Sequence, residues 1–315
     1  MIENFIFSAG SVLPIFLVLA LGYIIRLRGW TDGASLKRMN TVIFNLGLPV
    51  LMFRDVSNSN IDELFDAAFV AYCIVTTALI FIITLTLSNA YFKNRKVAGT
   101  FSQACFRSNY AILGLSLINH ILGDAHTGLG VVPLTFVLPF FNVFTIIALA
   151  ANENKRGLAF ILAMLKDIFK TPITIGILAG IVFSLLGISL PELMGTPVNQ
   201  IASMTPPLAL LIVGGSIDFS GIRSRYKPAL AAAVVKLVVT PLIFVPVAVW
   251  IGFGSEAVLV LYVMYGTPTA VASYAFACNL GGDEELALNS IVLTTVLSVF
   301  TFTIGLFLLR TLAII

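Results

Sequence analysis

Residues 101–123 read FSQACFRSNYAILGLSLINHILG. The stretch is long and apolar enough to cross a bilayer, yet Arg107, Ser108 and Asn109 stand side by side at its centre. A cation in the middle of a span costs about 2.5–3.5 kcal/mol on insertion scales. Helical neighbours point about 100° apart, so three polar residues in a row cannot share one protected face. Either the helix breaks there or it lines a wet cavity. Irregular backbone at membrane depth is tolerated only where it is buried in protein or faces water. Both alternatives place a transport site at this point.

The rest of the chain sets the class. Hydrophobic residues make up 59% of its 315 residues and charged residues 10%, with a mean hydropathy of +1.03. A soluble domain carries about 25% charged residues. Apolar runs near 20 residues argue for an all-α membrane protein rather than a barrel. Ten spans are predicted, over 5–27, 38–56, 66–92, 99–121, 130–151, 171–190, 197–217, 226–251, 256–280 and 285–311. Basic and apolar residues alternate at helical spacing in the linker 153–170, which reads as a cytoplasmic interfacial helix. The first run has no Lys or Arg before it and reads as a retained span rather than a signal peptide. Cys73, Cys105 and Cys278 lie in apolar runs without metal-ligand spacing and read as small core residues.

Lys and Arg give an orientation. Arg26, Arg28, Lys37 and Arg38 surround the first loop, Lys93, Arg95 and Lys96 the third. Lys155, Arg156, Lys166 and Lys170 surround the fifth, and Arg223, Arg225 and Lys227 the seventh. The even loops and the C-terminal end hold Arg54 and Arg310. The positive-inside rule puts odd loops in the cytoplasm and both termini outside.

The chain also repeats itself. Pro14 and Pro172, Gly22 and Gly180, Gly29 and Gly187, and Pro49 and Pro207 are each 158 residues apart. At an offset of 159, Asn109 falls opposite Pro268, inside EAVLVLYVMYGTPTAVASYAFACNLGGD (256–283). Five spans per unit is an odd number, so 1–152 and 171–315 read as inverted repeats. Such repeats bind substrate at the midplane, between discontinuous helices. Helix breaks are predicted at Asn109, Gly266 and Pro268. Asn109 and Pro268 are expected to face one another within about 10 Å, the separation of helices in contact, leaving backbone N–H groups free for a carboxylate.

Candidate substrate-binding residues follow. Arg107 is either a counter-charge for an anion or a ligand of carbonyls freed by the break. Lys236 is the other intramembrane cation. Ser108, Asn109, Tyr110, Thr267 and Thr269 offer neutral hydrogen bonds beside Pro268, and Asn142 is a further polar residue within a span. The acidic residues all lie in loops or near span ends. An organic anion is therefore expected as cargo rather than a metal cation. No nucleotide-binding motif, cofactor, metal site or catalytic constellation appears, so the chain reads as neither an enzyme nor a nucleic-acid binder.

The stretches LPIFLVLALGYIIRLRG (13–29), MNTVIFNLGLPVLMF (39–53), FRSNYAILGL (106–115), VVKLVVTPLI (234–243) and MYGTPTAVASYAFA (264–277) carry a resemblance. In order and spacing they resemble the auxin efflux carrier family of transporters, over essentially the whole length. The resemblance implies ten helices in two inverted five-helix repeats with crossed broken helices, a fold like that of sodium/proton antiporters and bile-acid symporters. It implies a scaffold of the first, second, sixth and seventh spans, a mobile unit of the other six, a homodimer and elevator-type movement. The short central loop is similar to bacterial members, described as permeases for malate, malonate and similar acids. Plant members have a proline at both crossings with an Asn close by. This chain has Asn109 without a proline in the fourth span, and Pro268 without a nearby Asn in the ninth. That argues against auxin and for a less sharply broken fourth helix. The expected function is secondary transport of small mono- or dicarboxylates across a plasma (bacterial inner) membrane. A sodium-coupled bile-acid-type symporter and a non-transporting ligand sensor are the alternatives.

Overall fold

The computed structural model describes residues 2–58, 66–123, 127–149, 172–217 and 225–315. The linker 153–170 and its interfacial helix lie outside the described residues. Among the described residues the regular elements are helical, and the one β feature is an isolated bridge between Ser108 and Thr269.

In chain order the helices are α1 (Ile2–Leu27), α2 (33–57), α3 (Ala67–Tyr91), α4 (Arg95–Phe106), α5 (Tyr110–Leu122) and α6 (Thr127–Leu149). They continue with α7 (Pro172–Leu185), α8 (Glu192–Gly215), α9 (Tyr226–Ile251), α10 (Ser255–Gly266), α11 (Ala272–Asn279) and α12 (Glu284–Thr311). Among the described residues six are long and apolar enough to cross a membrane: α1, α3, α6, α8, α9 and α12. Side-chain caps fix several starts. Asp66 accepts from Ala68 N at 2.8 Å to begin α3, Asn94 from Lys96 N at 2.9 Å to begin α4, and Asp283 from Leu286 N at 2.9 Å to begin α12. Each satisfies a backbone donor that a helix start leaves open.

Helices in lipid gain nothing from hiding apolar surface against one another, so close backbone approach has to hold them. Glycines supply it where α1 packs along α8 and α2 along α7. A Cβ at Gly22 would sit 2.1 Å from the Leu211 carbonyl oxygen, and one at Gly214 1.9 Å from that of Leu19. A Cβ at Gly176 would sit 2.3 Å from the Pro49 oxygen. These four helices form one packed group. In the second group α3 packs on α4 and α6, and α9 on α12, α10 and α4, while α12 also packs along α1 of the first.

One expectation needs correction. Cys278 is exposed, whereas Cys73 and Cys105 are core residues. It follows the interruption of its span and sits on a short helix beside a cleft. α10 ends at Gly266, where a helix break is expected, and Gly266 is not among the positive-φ glycines. Its hydrogen leaves room for Phe302, whose ring would lie 3.3 Å from a Cβ.

Candidate functional site

The stretch with Arg107, Ser108 and Asn109 is not helical. α4 ends at Phe106, and Arg107 caps it with extended backbone (φ −78°, ψ 106°). The chain resumes at Tyr110 as a π-turn, Tyr110–Gly114, which forms the first part of α5. The second interruption, after Gly266, spans the longer segment 267–271. Proline cannot donate and clashes with the preceding turn, so the break holding Pro268 is the wider one.

The two breaks cross and pair. Asn109 N–H donates to Pro268 O at 2.8 Å, and Ala270 N–H donates to Arg107 O at 3.1 Å. Asn109 and Pro268 are thus in hydrogen-bond contact, nearer than packed helix axes at about 8–10 Å. The hydroxyls beside them take carbonyls orphaned at the ends of the first half-helices. Ser108 Oγ donates to Met264 O at 2.9 Å, and Thr269 Oγ1 to Ala104 O at 2.8 Å. Thr267 Oγ1 donates to Val263 O. Thr269 N–H is taken by Thr294 Oγ1 at 3.0 Å. Each strand of the crossing therefore caps the helix end of the other, as membrane depth demands. This corrects the expectation of free N–H groups: those of Asn109, Thr269 and Ala270 are engaged within the crossing.

Arg107 is buried. Its Nη1 donates to Phe141 O at 3.1 Å and to Thr145 Oγ1 at 3.0 Å, and its guanidinium carbon lies 4.4 Å from the Phe276 ring centroid. Phe141 lies within α6, so the carbonyl that Nη1 binds is not one freed by the break, as one of the two alternatives had it; Nε has no hydrogen-bond partner. Asn109 Nδ2 is likewise buried without a partner, as is Asn142 Oδ1 on α6. Tyr110 OH donates to Gly130 O at 2.7 Å, which pins α5 to α6. Lys236 is buried at 2% exposure, in the π-turn Val235–Val239 of α9, which packs on α4. Among the described residues no carboxylate pairs with Arg107 or Lys236. The crossing thus unites Arg107, Ser108, Asn109, Thr267, Pro268 and Thr269, with Lys236 packed behind α4 and Asn142 beside the Arg107 contact at Phe141.

Sequence reasoning missed Gln103, a turn before Arg107, which is fully buried with both amide atoms unpartnered. It also missed a cleft of about 460 Å³ between the two packed groups. One wall carries Arg26, Lys37 and Asn40 from α1 and α2; the other carries Val271, Ala272, Tyr274 and Cys278 from the break and α11, with Ile291 of α12. Arg26 and Lys37 had served only as orientation signals, although cations at span ends also line whatever opens between those ends. The cleft reaches Val271 and Ala272, which directly follow Ala270 of the crossing; the crossing residues themselves do not line it. Its volume suits a small ligand. At the start of α2 the capping Asp32 accepts from Ser35 N at 2.6 Å, which lowers the pKa of its carboxyl.

Comparison with known proteins matches residues 7–306 to a family described as membrane transport protein. A candidate malonate transporter of Rhizobium meliloti is 26% identical, over 96% of this chain and 95% of that protein. An uncharacterized transporter of Methanothermobacter thermautotrophicus is 21% identical, over 93% of this chain and 96% of that protein. With several apolar spans and a family match along nearly its full length, this multi-pass membrane chain belongs to the membrane transport protein family of the auxin efflux carriers.

Proposed function

We propose that the chain is a secondary active transporter of small organic carboxylate anions, working by elevator-type alternating access in a bacterial inner membrane. The observation that carries this reading is a cleft with Arg26 and Lys37 on one wall and Val271 and Ala272 on the other, next in sequence to a crossing whose Asn109 and Arg107 bear unpartnered donors. Cations on the cleft wall attract an anion, and donors without partners in the crossing can hold a carboxylate in place of water. The name of the Rhizobium relative points to malonate as a first substrate to try.

The proposed architecture is two inverted five-helix repeats, 1–152 and 171–315, joined by the linker 153–170, with ten spans and both termini outside. Helix ends support it. α1 ends at Leu27 and α7 at Leu185, and α2 ends at Ser57 and α8 at Gly215, each pair 158 apart. α3 and α9 begin at Ala67 and Tyr226, 159 apart. Gly29 and Gly187, and Gly123 and Gly281, are again 158 apart and all have positive φ. Contacts repeat as well: Gly22 meets Leu211 O while Gly180 meets Phe53 O, and both partners are shifted by 158. α1, α2, α7 and α8 would form the scaffold of a homodimer, and the remaining helices the moving unit.

The test is uptake by reconstituted vesicles, with a panel of labelled mono- and dicarboxylates including malonate. Saturable uptake that small carboxylates compete and amines do not is expected. In the same preparation substrate should slow maleimide reaction at Cys278, which lines the cleft. Protection of Cys278 without flux of any acid would replace transport by ligand sensing. Strict sodium dependence would favour a bile-acid-type symporter.

A further inference from the structure

We propose that a basic hollow, where α3 turns into α4 and α9 begins, binds the phosphate-bearing headgroup of an anionic phospholipid. The hollow measures about 550 Å³, and Phe92, Lys93, Val97, Arg225, Tyr226 and Lys227 line it. Three cations therefore surround one cavity. Arg225 Nε lies 3.1 Å from Asp283 Oδ2, while Lys93 and Lys227 form no ion pair among the described residues. Their charge is available to a ligand.

The apolar part of the lining, Phe92 and Val97, is continuous with a buried cluster. Val97, Ala229 and Leu286 form this cluster, and Phe92 and Phe101 pack against it with ring centroids 5.3 Å apart. Tyr91, the last residue of α3, is 82% exposed, and Tyr226, the first of α9, is 47% exposed. Tyrosines at helix ends mark the level of the lipid headgroups. Cations beside an apolar lining at this level match a phosphate joined to an apolar root. A free phosphate would meet the cations and leave the apolar lining uncovered. Basic pockets between membrane helices at the headgroup level recognise anionic lipids in this way. Such a lipid would clip the α3–α4 turn to the start of α9 within one packed group. The assignment requires the chain to sit in a membrane; it does not depend on the substrate proposed above.

Native mass spectrometry on protein released from nanodiscs of equal phosphatidylglycerol and phosphatidylcholine reads the site directly. Wild type should retain phosphatidylglycerol several-fold over phosphatidylcholine. A Lys93→Gln/Lys227→Gln double variant should lose that preference, and Lys93→Arg/Lys227→Arg should keep it. The Gln variant should elute as wild type does in size exclusion, because both side chains are at the surface. Equal retention of the two lipids by wild type, or an unchanged preference in the Gln variant, would overturn the site. Displacement of the bound lipid by millimolar glycerol phosphate would overturn the lipid assignment in favour of a soluble phosphate ester. Malonate uptake is measured separately, so failure of either proposal leaves the other standing.

Discussion

Arg107 and Lys236 are both buried cations without a carboxylate partner among the described residues, yet they are held differently. Arg107 ties α4 to Phe141 O and Thr145 of α6 and covers Phe276. Arg107→Gln should therefore lower stability by about 1.5–3 kcal/mol, the range for hydrogen bonds to a charged group, seen as a fall in melting temperature. Lys236 adds a buried charge with no opposite partner. Lys236→Met, of similar volume and apolar, should hold or raise the melting temperature while lowering carboxylate uptake. A stable Lys236→Met variant with full uptake would remove this residue from the site. Asn109→Leu removes the unpartnered Nδ2 with little change in volume, and should abolish uptake while expression and melting temperature stay near wild type. The positions of these residues were legible because polar side chains at membrane depth are costly wherever they occur. What Arg107 binds was not, because its partner at Phe141 is a backbone carbonyl and carries no residue-type signal.

At the scale of helices, the crossing survives in an apolar setting because the hydroxyls of one strand cap the other. Thr269→Val keeps the shape but leaves Ala104 O without its donor. A buried acceptor left unsatisfied costs about 1–3 kcal/mol, so the melting temperature should fall; an unchanged value would mean that water replaces the hydroxyl. The four tightly packed helices depend on glycine instead. Gly22→Ala would place a methyl group against the Leu211 carbonyl, and Gly180→Ala one 2.9 Å from that of Phe53. Overpacking of this kind costs about 1–3 kcal/mol, and the Gly22 variant, with the closer approach, should lose more. The existence of both breaks and their meeting were readable from Pro268 and from the 159-residue offset. The pairing of Asn109 N–H with Pro268 O was not, because a hydrogen bond between two backbones leaves no mark on composition.

Across the whole molecule the proposed repeat implies a second conformation. Residues Arg26, Lys37 and Asn40 of the cleft have counterparts 158 positions on, in Ser184, Gly195 and Val198, which line a separate hollow of about 450 Å³. That hollow has Arg54, Ser57 and Asn58 as neighbours and no lining residue from either interrupted helix. The cleft does have such residues, Val271 and Ala272. The asymmetry is what one state of an alternating-access carrier would present, with the interrupted helices drawn toward the basic side. In the other state the counterpart of Val271, 159 positions earlier, is Ile112, now 4% exposed; it should line the second hollow. The check uses a variant lacking Cys73 and Cys105, with Ile112→Cys and Asn40→Cys added. Maleimide should label residue 112 slowly, whenever the protein visits the second state. Holding the cleft open with a bifunctional cross-linker between residue 40 and Cys278, which share its walls, should suppress both that labelling and carboxylate uptake. Labelling at residue 112 that ignores the cross-link would mean that its exposure comes from local opening of α5. The two packed groups would then not exchange positions as inverted repeats require.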